Sequence, residues 1–150
     1  MHFKKGYTRF VLVIPTLRIA FKFPNLRRPF HGITNNWLEF YFYLKTKHLF
    51  LQPTFFSFFG ICNIQLYGEP CCMEQGNFWE QLYGMTSCFP KDLGSALSRD
   101  GHHWEFQSNF CKAGEKLRIV DYGSKATQKL ILEFGEKIYQ NFSISFEKHI

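Results

Sequence analysis

Runs of β-branched and aromatic residues, separated by Pro, Gly and Asn, set the rhythm of the first half of the chain. Residues 7–14 (YTRFVLVI) read as a strand, Pro15-Thr16 as a turn and residues 17–23 (LRIAFKF), stopped by Pro24, as a second strand, so the two make a hairpin. Residues 25–33 form a basic loop. Thr34, Asn35 and Asn36 offer N-caps for a helix running to about Lys47, with bulky side chains nearly all round and therefore mostly buried. Strands are expected at 50–52, 55–60 and 62–67, with breaks at Pro53 and Gly60. Residues 1–68 thus spell β-β-α-β-β, with room for one strand more.

Gly68-Glu69-Pro70 is a breaker cluster and the expected boundary between an N-terminal lobe (1–68) and a smaller second lobe (69–150) of a single domain. A short helix is expected at 77–85, and 86–105 show no clear period. Residues 117–121 (LRIVD) read as a strand entered by the turn Ala113-Gly114-Glu115. Residues 124–141 give the clearest helix, with Leu130, Leu132, Phe134, Ile138 and Phe142 as its apolar stripe. Gly135 inside it costs about 1 kcal/mol against Ala. The expected class is α+β: a small antiparallel sheet with one helix, then a reduced helical part with a short hairpin.

Composition narrows the function classes. With 45% hydrophobic and 19% aromatic residues in 150, the chain has the apolar groups to offset ordering entropy, which excludes a disordered tail. The longest charge-free run, 49–68, contains Gln52, Pro53, Asn63 and Gln65, and Pro53 and Gly60 interrupt helix; two strands and a turn fit better than a membrane span. No signal-peptide pattern follows Lys4 and Lys5, and a cytoplasmic location is expected. The five cysteines include no C-x-x-C, so free thiols are the expectation; a zinc set drawn from Cys71, Cys72, Cys88, His102, His103 and Cys111 matches no common spacing.

Charge is unevenly spread. Residues 1–48 carry nine Lys or Arg and one acid, Glu39, for a net +8, whereas 49–150 carry nine basic residues and eleven acids, for −2. A basic unit of this kind attracts phosphate on nucleotides, nucleic acid or lipid.

Two patterns carry candidate chemistry. In residues 109–123 (NFCKAGEKLRIVDYG), Asp121 ends an apolar strand with Gly123 two residues on, letting the backbone turn away, and Asn109 can return beside it across a hairpin. Together Asn109 and Asp121 offer hard oxygen ligands suited to Mg²⁺ on phosphate. The alternative is a surface hairpin whose Asp caps the next helix. Lys22 lies in an apolar strand, and Glu39, on the following helix, is placed to hold it over phosphates. The alternative is an edge-strand lysine and a solvated carboxylate.

Taken in order, these segments resemble the protein-kinase-like superfamily, particularly small divergent members found in bacteria and their phages. GYTRFVLVIPTLRIAFKFP resembles the first three strands with Lys22 as the ATP-contacting lysine, Glu39 in NWLEFYF the helix glutamate, and FLQPTFFSFFGICNIQLYGEP the next two strands and hinge, with 65–70 where adenine would dock. DGHHWEFQSNF resembles the catalytic loop and RIVDYG the metal-binding motif. The resemblance implies ATP and Mg²⁺ as ligands, Lys22 and Glu39 on the nucleotide, and Asn109 and Asp121 on the metal. The departures are informative. His102 matches the loop histidine, but His103 replaces its arginine, Trp104 replaces the catalytic Asp, and Glu105 is one position off. The Gly-rich loop is absent, and the 27 residues after Gly123 leave no room for an activation segment. The resemblance therefore implies a pseudokinase: a nucleotide-binding protein weakly active or inactive as a phosphotransferase, with a protein partner conceivable.

His102 and His103, adjacent in a loop, make a poor chelate, and Trp104 reads either as core or as a base-stacking ring. Two rivals remain. One is a single-strand nucleic-acid-binding protein, using the basic third with Tyr7, Phe10, Phe21, Phe23 and Phe30 interleaved, although no RNP, OB or helix-turn-helix signature accompanies it. The other is an interaction protein with no ligand.

Overall fold

The computed structural model describes residues 1–71 and 106–141. The expected helix at 77–85, the 86–105 stretch, His102, His103, Trp104, Glu105 and Phe142 lie outside the described residues. The chain runs β1 (His2–Lys5), β2 (Arg9–Ile14), β3 (Ile19–Pro24), α1 (Pro29–Thr46), β4 (Thr54–Phe58), β5 (Cys62–Leu66), β6 (Glu69–Pro70), β7 (Phe110–Ala113), β8 (Lys116–Ile119) and α2 (Lys125–Asn141). Among the described residues the class is α+β: a five-stranded antiparallel sheet in the order β1-β2-β3-β5-β4, a three-stranded sheet β6-β7-β8, and two helices.

The additional strand is not at 50–52 but at the start of the chain, before the first expected strand: β1 pairs from His2 opposite Val13 to Lys5 opposite Phe10. All four of its residues are exposed, so no burial alternation announces it. A 3₁₀ turn at Pro15–Leu17, closed by Arg18 in the left-handed region, joins β2 to β3. The 49–68 run folds as the β4–β5 hairpin, turning through Phe59 and Gly60 at positive φ. No helix among the described residues is long and apolar enough to cross a membrane.

α1 departs from expectation at both its start and its burial. It begins at Pro29, whose ring pre-sets φ for the first helical position, so Thr34, Asn35 and Asn36 lie inside the helix rather than capping it. Its buried stripe is narrow: Gly32, Asn36, Glu39 and Phe42, while Trp37, Tyr41 and Leu44 face solvent. Gly32 lets the helix approach β3 closely, since a Cβ there would lie 2.6 Å from the Pro24 Cα.

Residues 50–52 are not a sheet strand. Leu51 bridges to Ile119 in parallel, with the Gln52 N–H donating to the Ile119 carbonyl at 2.9 Å and the Ile119 N–H donating to the Phe50 carbonyl at 2.8 Å. The breaker cluster is likewise stitched in, because Glu69 and Pro70 pair with Lys112 and Cys111. In α2, Ile131 is buried with Leu130, Phe134 and Ile138, and Leu132 is exposed instead of joining the stripe; a 3.6-residue period cannot turn both 130 and 132 inward. Gly135 is explained by close packing, as a Cβ there would lie 3.1 Å from the His48 ring. The apolar core lies between the C-terminal part of α1, the β7–β8 hairpin and α2, built on Phe42, Phe50, Leu117, Ile119, Tyr122 and Ile131.

Candidate functional site

The strand register sends Arg9 on β2 and Lys22 on β3 to the same side of the large sheet, the side on which α1 lies. Glu39 is on the buried stripe of α1, and its carboxylate takes both cations: Lys22 Nζ donates to Oε1 at 2.8 Å, and Arg9 Nη1 donates to Oε2 at 2.9 Å. Arg9 Nη2 also donates to Asp121 Oδ1. Lys22 Nζ donates further to the Val120 carbonyl, next door to Asp121. The four groups form one line, Asp121–Arg9–Glu39–Lys22, with formal charges that sum to zero. Its far end is closed and its near end half open: the Lys22 side chain is 5% exposed and that of Asp121 is 31% exposed.

Neighbouring amides and hydroxyls hold this line. Asn36 Nδ2 donates to the Lys22 and Gly60 carbonyls at 3.0 and 2.9 Å, and its Oδ1 accepts from Arg9 Nη1 at 3.3 Å. Behind Glu39, the Tyr122 hydroxyl donates to the Gln52 carbonyl at 2.7 Å, leaving its oxygen to accept from Thr54 at 2.8 Å; Gln65 Nε2 donates to Thr54 Oγ1 at 3.1 Å. Tyr122 is buried against Phe42, and this locks the backbone beside Asp121.

Gly123 serves a different purpose from a sharp turn. Its φ is not positive; a Cβ at that position would lie 2.6 Å from the Asn35 carbonyl oxygen, so the glycine lets the strand end press against α1. Asn109 returns as the hairpin spacing predicts, its carbonyl accepting from the Val120 N–H at 2.8 Å across β7–β8. This bond sets Asn109 one ladder position from Asp121, the neighbour of Val120.

Electrostatics follow from burial. Burial would lower the Arg9 guanidinium, but Asp121 and Glu39 outweigh it and raise it further above its ordinary value, so Arg9 is always charged. Burial pushes the Lys22 ammonium below its ordinary value; Glu39 opposes this and Arg9 adds to it. Burial, with Glu39 nearby, holds the Tyr122 phenol well above its ordinary value, so it stays protonated. Cys111 is pushed up to about 12 by burial and is an inert thiol at neutral pH. Cys62, Cys71 and Cys111 are free, and no group of three His, Cys, Asp or Glu able to hold a metal occurs among the described residues.

Sequence reasoning singled out Lys22, Glu39 and Asp121, and they meet. It missed Arg9, the residue that links Glu39 to Asp121. The available signal was parity: Arg9 shares its strand face with Val11 and Val13, the same face that Lys22 takes on β3 through the Val11–Lys22 pairing. No protein-family model, curated protein or solved structure matches the chain.

Proposed function

We propose that the chain is a kinase-like nucleotide-binding protein, weakly active or inactive in phosphoryl transfer. The observation that carries this reading is the buried Lys22–Glu39 ion pair, linked through Arg9 to an Asp121 that opens to solvent. Supporting it, the β-β-β-α-β-β order puts the lysine on the third strand and the glutamate on the helix after it, and the hairpin from Asn109 delivers Asp121 to the same place. The resemblance implies a third-strand lysine and a glutamate on the next helix, although residues 6–24, which it reads as three strands, hold two, and His2–Lys5 supplies the other.

A polyphosphate entering at the Asp121 end meets Arg9 first, with Lys22 deeper in the line, both fixed by their ion pairs. Charge-assisted bonds from such groups are the strong ones, and Arg offers a bidentate fork. A divalent ion on Asp121, with Asn109 as second oxygen ligand, competes with Arg9, because that guanidinium already neutralises the carboxylate. Mg²⁺ thus enters this reading as a rival of Arg9 for Asp121. Transfer is expected to be weak or absent, because Trp104 stands where the resemblance puts the proton-accepting Asp and an indole accepts no proton.

The test is thermal stabilisation by ATP alone, Mg²⁺ alone and both, for the native chain, Asp121→Ala and Lys22→Met, each against its own unliganded midpoint. Ligand at a hundred times its Kd adds about 2.7 kcal/mol. ATP is expected to stabilise the native chain and not Lys22→Met, and any Mg²⁺-dependent part should vanish in Asp121→Ala. A native chain indifferent to ATP under all three conditions refutes the reading.

A further inference from the structure

We infer that the outer face of the five-stranded sheet, away from α1, is a platform for single-stranded nucleic acid. This site is on the opposite side of the sheet from the ion line and does not depend on it. The register places Phe3, Leu12, Phe21, Ile64 and Phe56 in one row across all five strands, with Phe10 opposite Phe23 in the next row. Phe21 and Phe23 lie nearly parallel, with centroids 6.4 Å apart and planes 11° apart, and Phe3 stacks on Phe10 at 5.7 Å. Phe3, Phe23, Phe56 and Phe58 are exposed. A half-covered antiparallel sheet ordinarily turns polar residues to solvent, and this one turns rings.

Charge selects the occupant. Lys5 shares the face, its ammonium 5.9 Å from the Phe10 ring centre, and the Arg28 guanidinium lies 4.0 Å from the Tyr7 ring at the adjoining rim. Of the nine basic residues in 1–48, only Arg9 and Lys22 are buried, and the sole acid, Glu39, is buried with them. The seven charges this unit shows to solvent are therefore all positive. A second copy would set like charges against each other with no acid of this unit to meet them. A polymer of phosphates carrying flat, stackable bases complements rings and cations together.

The experiment is fluorescence anisotropy of the full chain with a labelled thymidine oligomer of about 20 nucleotides and its duplex, in a salt series. The native chain should prefer the single strand, with affinity falling as salt rises. Phe10→Thr/Phe23→Thr should weaken single-strand binding by about 5- to 150-fold per stacked ring while leaving the salt slope unchanged. Lys5→Gln/Arg28→Gln should flatten the slope by about one to two. Circular dichroism checks folding, and Phe56→Thr/Phe58→Thr, on the same face, replaces the first pair if that pair fails to fold. Equal binding of single strand, duplex and heparin, indifferent to the Phe changes, overturns the inference. Self-association in the ultracentrifuge, or binding to phosphatidylserine vesicles, that the Phe changes abolish in the absence of oligonucleotide binding also overturns it.

Discussion

The inner and outer faces of the five-stranded sheet carry opposite chemistry, and the polarity is reversed from that of a sheet half covered by a helix. Toward α1 lie Arg9, Lys22, Thr54, Asn63 and Gln65, all buried, with Val13 and Ala20 among them; toward solvent lie Phe3, Phe10, Phe21, Phe23 and Phe56, with Lys5. Among the described residues the buried apolar cluster is built elsewhere, around β7, β8, α2 and Phe42 of α1. Most of the inner face is thus held by ion pairs and hydrogen bonds, which fix side chains at defined positions but contribute little net stability once desolvation is counted. The outer face leaves apolar area in water that folding alone has no reason to leave there. Both departures are costs to stability, and each coincides with a candidate binding surface.

The largest effect should come from breaking the inner line at its centre. Glu39→Gln leaves Arg9 and Lys22 buried with no carboxylate between them, and denaturant unfolding should show a loss of about 3–5 kcal/mol. A loss under about 1 kcal/mol would mean that the line is solvated in solution. The complementary variant, Arg9→Met/Lys22→Met/Glu39→Leu, removes the three buried charges of the line at similar volume and leaves only the half-open Asp121. It should retain native stability or gain about 1–4 kcal/mol while losing any response to ATP. A stable triple variant that still responds to ATP would place the nucleotide elsewhere.

Asp121→Ala removes the half-open end of the line, so its cost should be smaller, about 1.5–3 kcal/mol, the range for a hydrogen bond to a charged group. On the outer face, Phe23→Thr should change unfolding free energy by less than about 1 kcal/mol, because the ring is already 36% exposed and Thr keeps strand propensity. A larger loss would show that something covers this face in solution.

The smallest effect is a pH dependence away from both faces. His48 Nδ1 accepts the Phe50 N–H at 3.1 Å, and burial holds its imidazole below the ordinary 6.5, more than Glu136 raises it. The folded chain therefore takes up this proton less readily than the unfolded one. The stability His48 contributes is complete above pH 6.5 and falls as pH drops through its folded value. Urea midpoints measured at about pH 7.5 and 5.5 should differ less in His48→Gln than in the native chain; equal differences would assign the acid sensitivity to other groups.

Local pattern by itself determined a good deal here. Lys22 stood out as a charge among apolar strand neighbours, Glu39 as the only acid in a basic third, and Asp121 as the end of an apolar strand before Gly123. The β4–β5 hairpin in place of a spanning helix was legible too, because Pro53 and Gly60 break a helix wherever they stand. Tertiary structure alone decided the rest. Pairing revealed β1, since its exposed residues carry no alternation. Arg9 is an ordinary strand residue until β2 pairs with β3 and α1 crosses behind them, which brings residues 9, 39 and 121 together. The reversed polarity of the sheet also needed the fold: alternation assigns residues to two faces, but only the position of α1 says which face is covered.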